Sequence, residues 1–316
     1  MTRLALLAVL LNSGGAAVAR TPALHVESVH RLTFGSGLAQ LGRERPSEGS
    51  AEGPASLVVD GSGRVFVLDQ VNRRLLVLTR GASPWTVALP DRPFRDVTLD
   101  GSGGFWLLDA IGDTVVRLDA AGHEMSRLTL AGPLLDHAMH VTSLHRADDG
   151  LYVEIMWLYT VKIGDVQGQA LVERSALPGR PVGPRGSLRA ALAGRAPTNA
   201  VNLTLHPAGR APHRVARLDF DDRVMRLDFA GLDHAGAWVA VRLGREDATP
   251  SGDFEVTRDR EVIVALEPNG VERARTTLPR TWLPDDQPHP VTLGGDGALW
   301  ALFLDEAGGT VWRVSR

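Results

Sequence analysis

Residues 93–130 read PFRDVTLDGSGGFWLLDAIGDTVVRLDAAGHEMSRLTL, four short apolar-rich runs separated by three tight turns. Asp96–Leu99 is the first run, Asp100-Gly101-Ser102-Gly103 is a turn of the type that aspartate and glycine favour, and Phe105–Leu108 is the second. Thr114–Leu118 supplies the third run, Ala120-Ala121-Gly122 turns the chain again, and Met125–Leu130 alternates apolar with polar residues. A single four-stranded sheet of this kind cannot bury both faces, so it requires copies of itself on either side.

The copies are present. Asp60-Gly61-Ser62-Gly63 precedes Val65–Leu68 as the second DGSG precedes Phe105–Leu108, and the two turns lie 40 residues apart. Further turn glycines ahead of an apolar run occur at Gly150, Gly236 and Gly297, giving successive gaps of 40, 47, 86 and 61 residues. The gap of 86 spans one degenerate repeat between Ala176 and Asp222, with runs at Leu188–Leu192, Val201–Leu205 and Val215–Phe220. The gap of 61 implies an insertion, the polar segment Gly244–Glu261 between Trp238–Leu243 and Val262–Leu266. A second register runs in step with the first: VVRLDAAG (115–122), VKIGDVQG (161–168), VIVALEPNG (262–270) and VWRVSR (311–316).

Six repeats predict an all-β, six-bladed β-propeller. The last repeat offers only Val291–Leu293, Leu299–Leu304 and Val311–Val314, while Leu24–Phe34 is an unpaired strand ahead of the first full repeat. This N-terminal strand is expected to complete the last blade and close the ring, which removes the exposed edges that invite aggregation.

Met1–Ala19 has one arginine, an apolar run Leu4–Leu11, and Ala17-Val18-Ala19 ahead of Arg20. That pattern reads as a signal peptide followed by a single propeller domain over 20–316, and places the protein outside the cytoplasm as a secreted or periplasmic chain. The run falls far short of the roughly 20 residues that span a bilayer, so no membrane span is expected. The chain contains no cysteine, so it has neither disulfides nor thiol chemistry. Its formal charge is −3, and its basic residues, all arginine except Lys162, are dispersed, which argues against nucleic acid as a partner.

The stretch EGPASLVVDGSGRVFVLDQVNRRLLVL (52–78) resembles an NHL-type repeat, with its Gly-Pro entry, Asp-x-x-Gly turn, strand ending in Asp, and Asn-Arg before the next strand. The second repeat keeps the Asp and Gly marks but has Gly112-Asp113 in place of Asn-Arg. GGFW and GALW are also similar to streptogramin-lyase-like and gluconolactonase-like propellers, a likeness that implies a lyase or a metal-dependent lactonase; no counterpart of their catalytic sets stands out in this chain.

Asp69, Asp109 and Asp305 each end a second strand, where a carboxylate can accept backbone N–H groups of the following turn. Asp136-His137-Ala138-Met139-His140, with His145 beyond, is the densest histidine segment, and it leads into an innermost strand at the mouth of the channel. His289 precedes Val291 as His140 precedes Val141, so both are candidates to face one funnel. Imidazoles with a carboxylate can hold a divalent metal, for which His140, His289 and Asp136 are the candidates, although a solvated or satisfied histidine is the commoner outcome and no cofactor is expected. Trp157 and Tyr159 follow Glu154 in the most aromatic segment and are candidates for a pocket wall. The segment 244–261 is expected on the same face as the blade-to-blade loops.

The sequence therefore points to a platform that binds a protein or small-molecule ligand through the blade-to-blade face, with His137, His140, His289, Asp96, Trp157 and Tyr159 as candidate contacts. The alternative is a metal-dependent hydrolase or lyase in the central funnel.

Overall fold

The computed structural model describes residues 23–48, 51–182, 186–194, 198–248, 254–280, 287 and 289–316. Residues 1–22, and with them the expected signal peptide, lie outside the described residues. Six small antiparallel sheets follow one another along the chain. Blade one is Ser56–Val59, Val65–Asp69, Arg74–Leu78 and Trp85–Ala88; blade two is Phe94–Leu99, Phe105–Asp109, Thr114–Leu118 and Glu124–Thr129. Blade three is Val141–Ala147, Gly150–Ile155, Tyr159–Gly164 and Ala176–Pro178.

The degenerate repeat is blade four, with Ser187–Leu192, Ala200–His206 and His213–Asp219 outside an innermost strand of only two residues, Arg180–Pro181. Its innermost strand escapes a search for apolar runs because it has none, and the adjacent Ala176–Pro178 closes blade three instead. Blade five is Arg223–Asp233, Gly236–Ala248, Phe254–Leu266 and Glu272–Pro279.

Blade six is Val291–Leu293, Leu299–Asp305 and Gly308–Ser315, and its fourth strand is His25–Phe34 from the other end of the chain. The pairing runs from His25 opposite Ser315 to Thr33 opposite Gly308. The ring is thus closed as the repeat count requires. An additional two-residue strand, Gln40–Leu41, runs parallel to Thr33–Phe34 at its outer edge.

Burial explains the strand compositions. Every residue of Val65–Asp69 and Phe105–Asp109 is buried, because a central strand of a blade is covered on both faces by neighbouring blades. The outer strand Glu124–Thr129 is largely exposed and accordingly polar. The core is correspondingly laminar: Phe66, Leu68 and Leu75 of blade one pack with Phe94, Phe105 and Leu107 of blade two, and Trp238 and Ile263 of blade five pack with Leu299 and Phe303 of blade six.

The aspartate turns work by backbone capture. Asp100 accepts the N–H groups of Ser102 at 2.7 Å and Gly104 at 2.8 Å, and Asp60 accepts those of Ser62 and Arg64, both at 2.9 Å. Asp109 accepts Gly112 N–H at 2.7 Å, and Asp305 accepts Ala307 N–H at 2.9 Å. Asp69 differs: it takes the side chains of Asn72 and Arg74, and the N–H of Gly42, just beyond Gln40–Leu41, at 2.9 Å.

The segment 244–261 is no loose loop at its base. The hairpin of blade five continues through it, pairing Arg245 with Thr257 and Asp247 with Glu255. Polar composition marks the solvent exposure of an overlong hairpin, and residues 249–253 between its strands lie outside the described residues.

Candidate functional site

Polar side chains from blades two to six form two buried networks. In the first, Asp96 of blade two accepts Val97 N–H at 2.8 Å and, across the blade boundary, Leu144 N–H at 2.6 Å. His289, leading into blade six, places Nδ1 3.2 Å from Asp96 Oδ1. The His289 ring meets that of His145, from blade three, edge to face at 5.8 Å between centroids.

His145 Nε2 lies 2.8 Å from Ser143 Oγ, and Ser143 donates its only proton to Glu154 Oε2, also at 2.8 Å. Glu154 in turn accepts Arg180 Nε at 2.9 Å and Nη2 at 3.1 Å. Burial alone would raise the Glu154 carboxyl, but the Arg180 charge and these hydrogen bonds hold it well below its ordinary value. The ionised carboxylate fixes the direction of the relay: Ser143 donates to Glu154, so His145 Nε2–H donates to Ser143, and Nδ1 keeps its lone pair. Burial lowers His145, which keeps the imidazole neutral.

The second network lies in blade five. Asp228 is paired with Arg226 and, at 2.9 Å, with Arg280, which also donates to Glu261 Oε2 at 2.9 Å. Two buried carboxyls in one site cannot both ionise cheaply. Burial and the neighbouring Asp228 charge push Glu261 well above its ordinary value. Burial also acts to raise Asp228, but Arg226 and Arg280 outweigh it and hold that group low. Asp228 is the ionised partner and Glu261 carries the proton.

His145, His289 and Arg180 line a channel pocket of about 440 Å³ that also touches Gly101, Ala147 and Leu293, on the side of the DGSG turns. The blade-to-blade side carries two other concavities. One is a cleft of about 560 Å³ between the entry segment and blades one to three, lined by Phe94, Ala110, Ile111 and Met139 with Gln70, Arg95, Asp113 and His137. The other is an apolar groove of about 520 Å³ over blades three to five, lined by Met156, Trp157, Leu158, Leu192, Met225 and Leu227 among others.

The sequence candidates therefore separate. Asp96 and His289 come together in the channel. His137, 3.8 Å from Asp113, belongs to the cleft, and Trp157 to the groove. Tyr159 packs, half-buried, against the core between blades two and three. Asp136 and His140 are exposed at the rim, His140 in a single 3-10 turn Ala138–His140, away from buried His289. Among the described residues no three His, Asp or Glu side chains converge to hold a metal ion, so the trio His140, His289 and Asp136 does not fit one.

Ser143, Glu154, Arg180, Asp228, Glu261 and Arg280 were not singled out by sequence reasoning. Glu154 carried a usable signal, a lone charge inside the apolar run Leu151–Ile155. Arg180 had none, since its strand is two residues long.

No family model matches the chain, and no curated protein matches it. Solved structures do. A member of the DUF4221 family from Bacteroides vulgatus superposes with a TM-score of 0.52 at 8% identity, over 94% of this chain and 99% of that one. The hydrazine synthase of Kuenenia stuttgartiensis gives 0.50 at 15% identity, over 78% and 72% of the two chains. A streptogramin B lyase gives 0.46 at 10% identity, over 92% and 97%. The chain is a six-bladed β-propeller. At such identities the likeness is one of fold alone. Among the described residues no helix is long and apolar enough to cross a membrane.

Proposed function

We propose that this NHL-like propeller is a binding platform whose ligand sits on the blade-to-blade face. The observation that carries this reading is the cleft of about 560 Å³, a volume in the range of small-molecule sites. Ile111 and Met139 stand 79% and 75% exposed at its edge, a cost in hydration that a bound ligand would relieve. Arg95, Asp113 and His137 supply polar contacts around an apolar floor of Phe94, Ala55 and Ala110. The rigid ring holds these groups in place, so binding requires little ordering of the protein.

The test is a thermal-shift screen of a metabolite panel against the wild type and Ile111→Asp, which places a charge in the cleft without touching the core. The expected result is at least one compound that raises the wild-type melting temperature and leaves the variant unmoved. A panel that shifts both proteins alike, or neither, overturns the reading. We further propose export by the leader Met1–Ala19 and a secreted or periplasmic location; N-terminal sequencing of the protein recovered from its native compartment should then begin at Arg20.

A further inference from the structure

The hairpin turn of blade three is built from the wrong residues for its shape. Leu158 N–H donates to Ile155 C=O at 2.9 Å, closing a turn whose central residues Met156 and Trp157 both have positive φ, 49° and 58°. Consecutive positive φ values define the type I′ turn, for which Asn-Gly is the favoured pair because other side chains crowd the backbone there. Two large apolar side chains occupy those positions instead, and both are about half exposed. Neither belongs to the buried core that blade three shares with its neighbour. Strain of this kind persists where the displayed side chains are used.

They are displayed over the groove, whose remaining wall comes from Leu192, Met225 and Leu227 in blades four and five. Two arginines reach it. Arg226 is already paired with Asp228, whereas Arg189 is exposed and makes no ion pair among the described residues. An apolar trough with one uncommitted guanidinium at its edge is complementary to an apolar body bearing one anionic head.

We propose that this groove binds a monoanionic amphiphile, an apolar carboxylate of the long-chain type, with its carboxylate on Arg189 and its hydrocarbon under Met156 and Trp157. The site rests on the platform reading only in sharing its face; its residues are separate from those of the cleft. The turn is kept strained because Asn-Gly would fold better and bind nothing.

The probe is dansyl-undecanoate, titrated by fluorescence against the folded full-length propeller and displaced with dodecanoate or dodecanol. Saturable binding is expected. Arg189→Gln should weaken dodecanoate about tenfold while leaving dodecanol unchanged, the loss of one charge-assisted pair. The double variant Met156→Asn with Trp157→Gly should melt a few degrees higher than wild type and lose the probe. Ile111→Asp, in the cleft, should leave the probe's affinity unaltered, so failure in the groove and failure in the cleft are told apart. The proposal is overturned if the wild type does not bind the probe, if the double variant binds as well as wild type or melts lower, or if Arg189→Gln weakens acid and alcohol equally.

Discussion

His289 Nδ1 and Asp96 Oδ1 stand 3.2 Å apart although the residues are 193 positions apart in sequence, so the sixth and second blades are joined across the innermost strand of the first. The same carboxylate accepts Leu144 N–H of blade three, and His289 itself exchanges backbone bonds with Ala55 and Leu57 of blade one. Asp96 and His289 together therefore tie four consecutive blades around the point where the ring closes. Asp96→Ala would strand the imidazole and a buried amide together. The expected loss is about 1–3 kcal/mol, the penalty for leaving buried hydrogen-bonding groups unsatisfied, measured as a fall in the urea midpoint at constant slope. A loss below about 1 kcal/mol would show that the channel network does not hold the ring.

The carboxyl pair of blade five makes a pH prediction with a definite sign. Glu261 is raised above its ordinary 4.5, so the stability it contributes is complete below that value and declines as pH rises towards its folded pKa. Asp228 and Glu154, both lowered, act in the opposite sense: their contributions are present above their ordinary carboxylate values and are lost as pH falls. Glu261→Gln keeps a hydrogen-bond donor for Asp228 and an acceptor for Arg280 but cannot ionise. Its stability relative to wild type should therefore rise as pH climbs above about 4.5. Asp228→Asn leaves Arg280 and Arg226 facing a neutral group and should cost about 3–5 kcal/mol at neutral pH. Urea titrations across that range would decide both. A Glu261→Gln difference that does not vary with pH would mean that Glu261 is ionised in the fold.

The architecture was legible because every blade but the degenerate fourth repeats two local signals, a turn glycine and an apolar strand behind it. Both are dictated by nearest-neighbour chemistry, with Asp100 and Asp60 capturing the amides of their own turns. The channel was less legible because its residues are set by spacing across the ring. His140 and His289 hold the same place before an inner strand, yet one ends a 3-10 turn at the rim and the other is buried beside Asp96. Repeat position alone could not tell them apart. Arg180 was invisible for a related reason: a two-residue strand has no periodicity to read.

Closure by His25–Phe34 predicts how truncation behaves. The strand pairs along most of its length with Gly308–Ser315, and Leu32 is buried in the core shared by blades six and one. Removing residues 23–34 would uncover the edge of Gly308–Ser315 and open that core to water. The truncated chain should lose its single cooperative unfolding transition and associate through the bared edge. Size-exclusion chromatography and calorimetry would show this. A monomeric truncation that melts as one transition near the wild-type temperature would mean the ring does not depend on the strand.

The hairpin of blade five makes the opposite prediction. Val262–Leu266 and Ala237–Val241 are buried between blades, whereas beyond Gly244 the paired strands leave the core, with Arg245 and Asp247 more than 45% exposed as side chains and joined to each other at 2.8 Å. An exposed ion pair of this sort contributes at most about 1 kcal/mol. Replacing residues 245–258 by a two-residue Asn-Gly turn should therefore shift the unfolding free energy by no more than about 1 kcal/mol, read from urea denaturation, because the buried runs Ala237–Val241 and Val262–Leu266 are kept. The same deletion separates support from recognition. If the extension serves the binding face, the shortened protein should keep its melting temperature while its response to ligands of the cleft or the groove changes; an unfolded or strongly destabilised product would instead make the extension part of the scaffold.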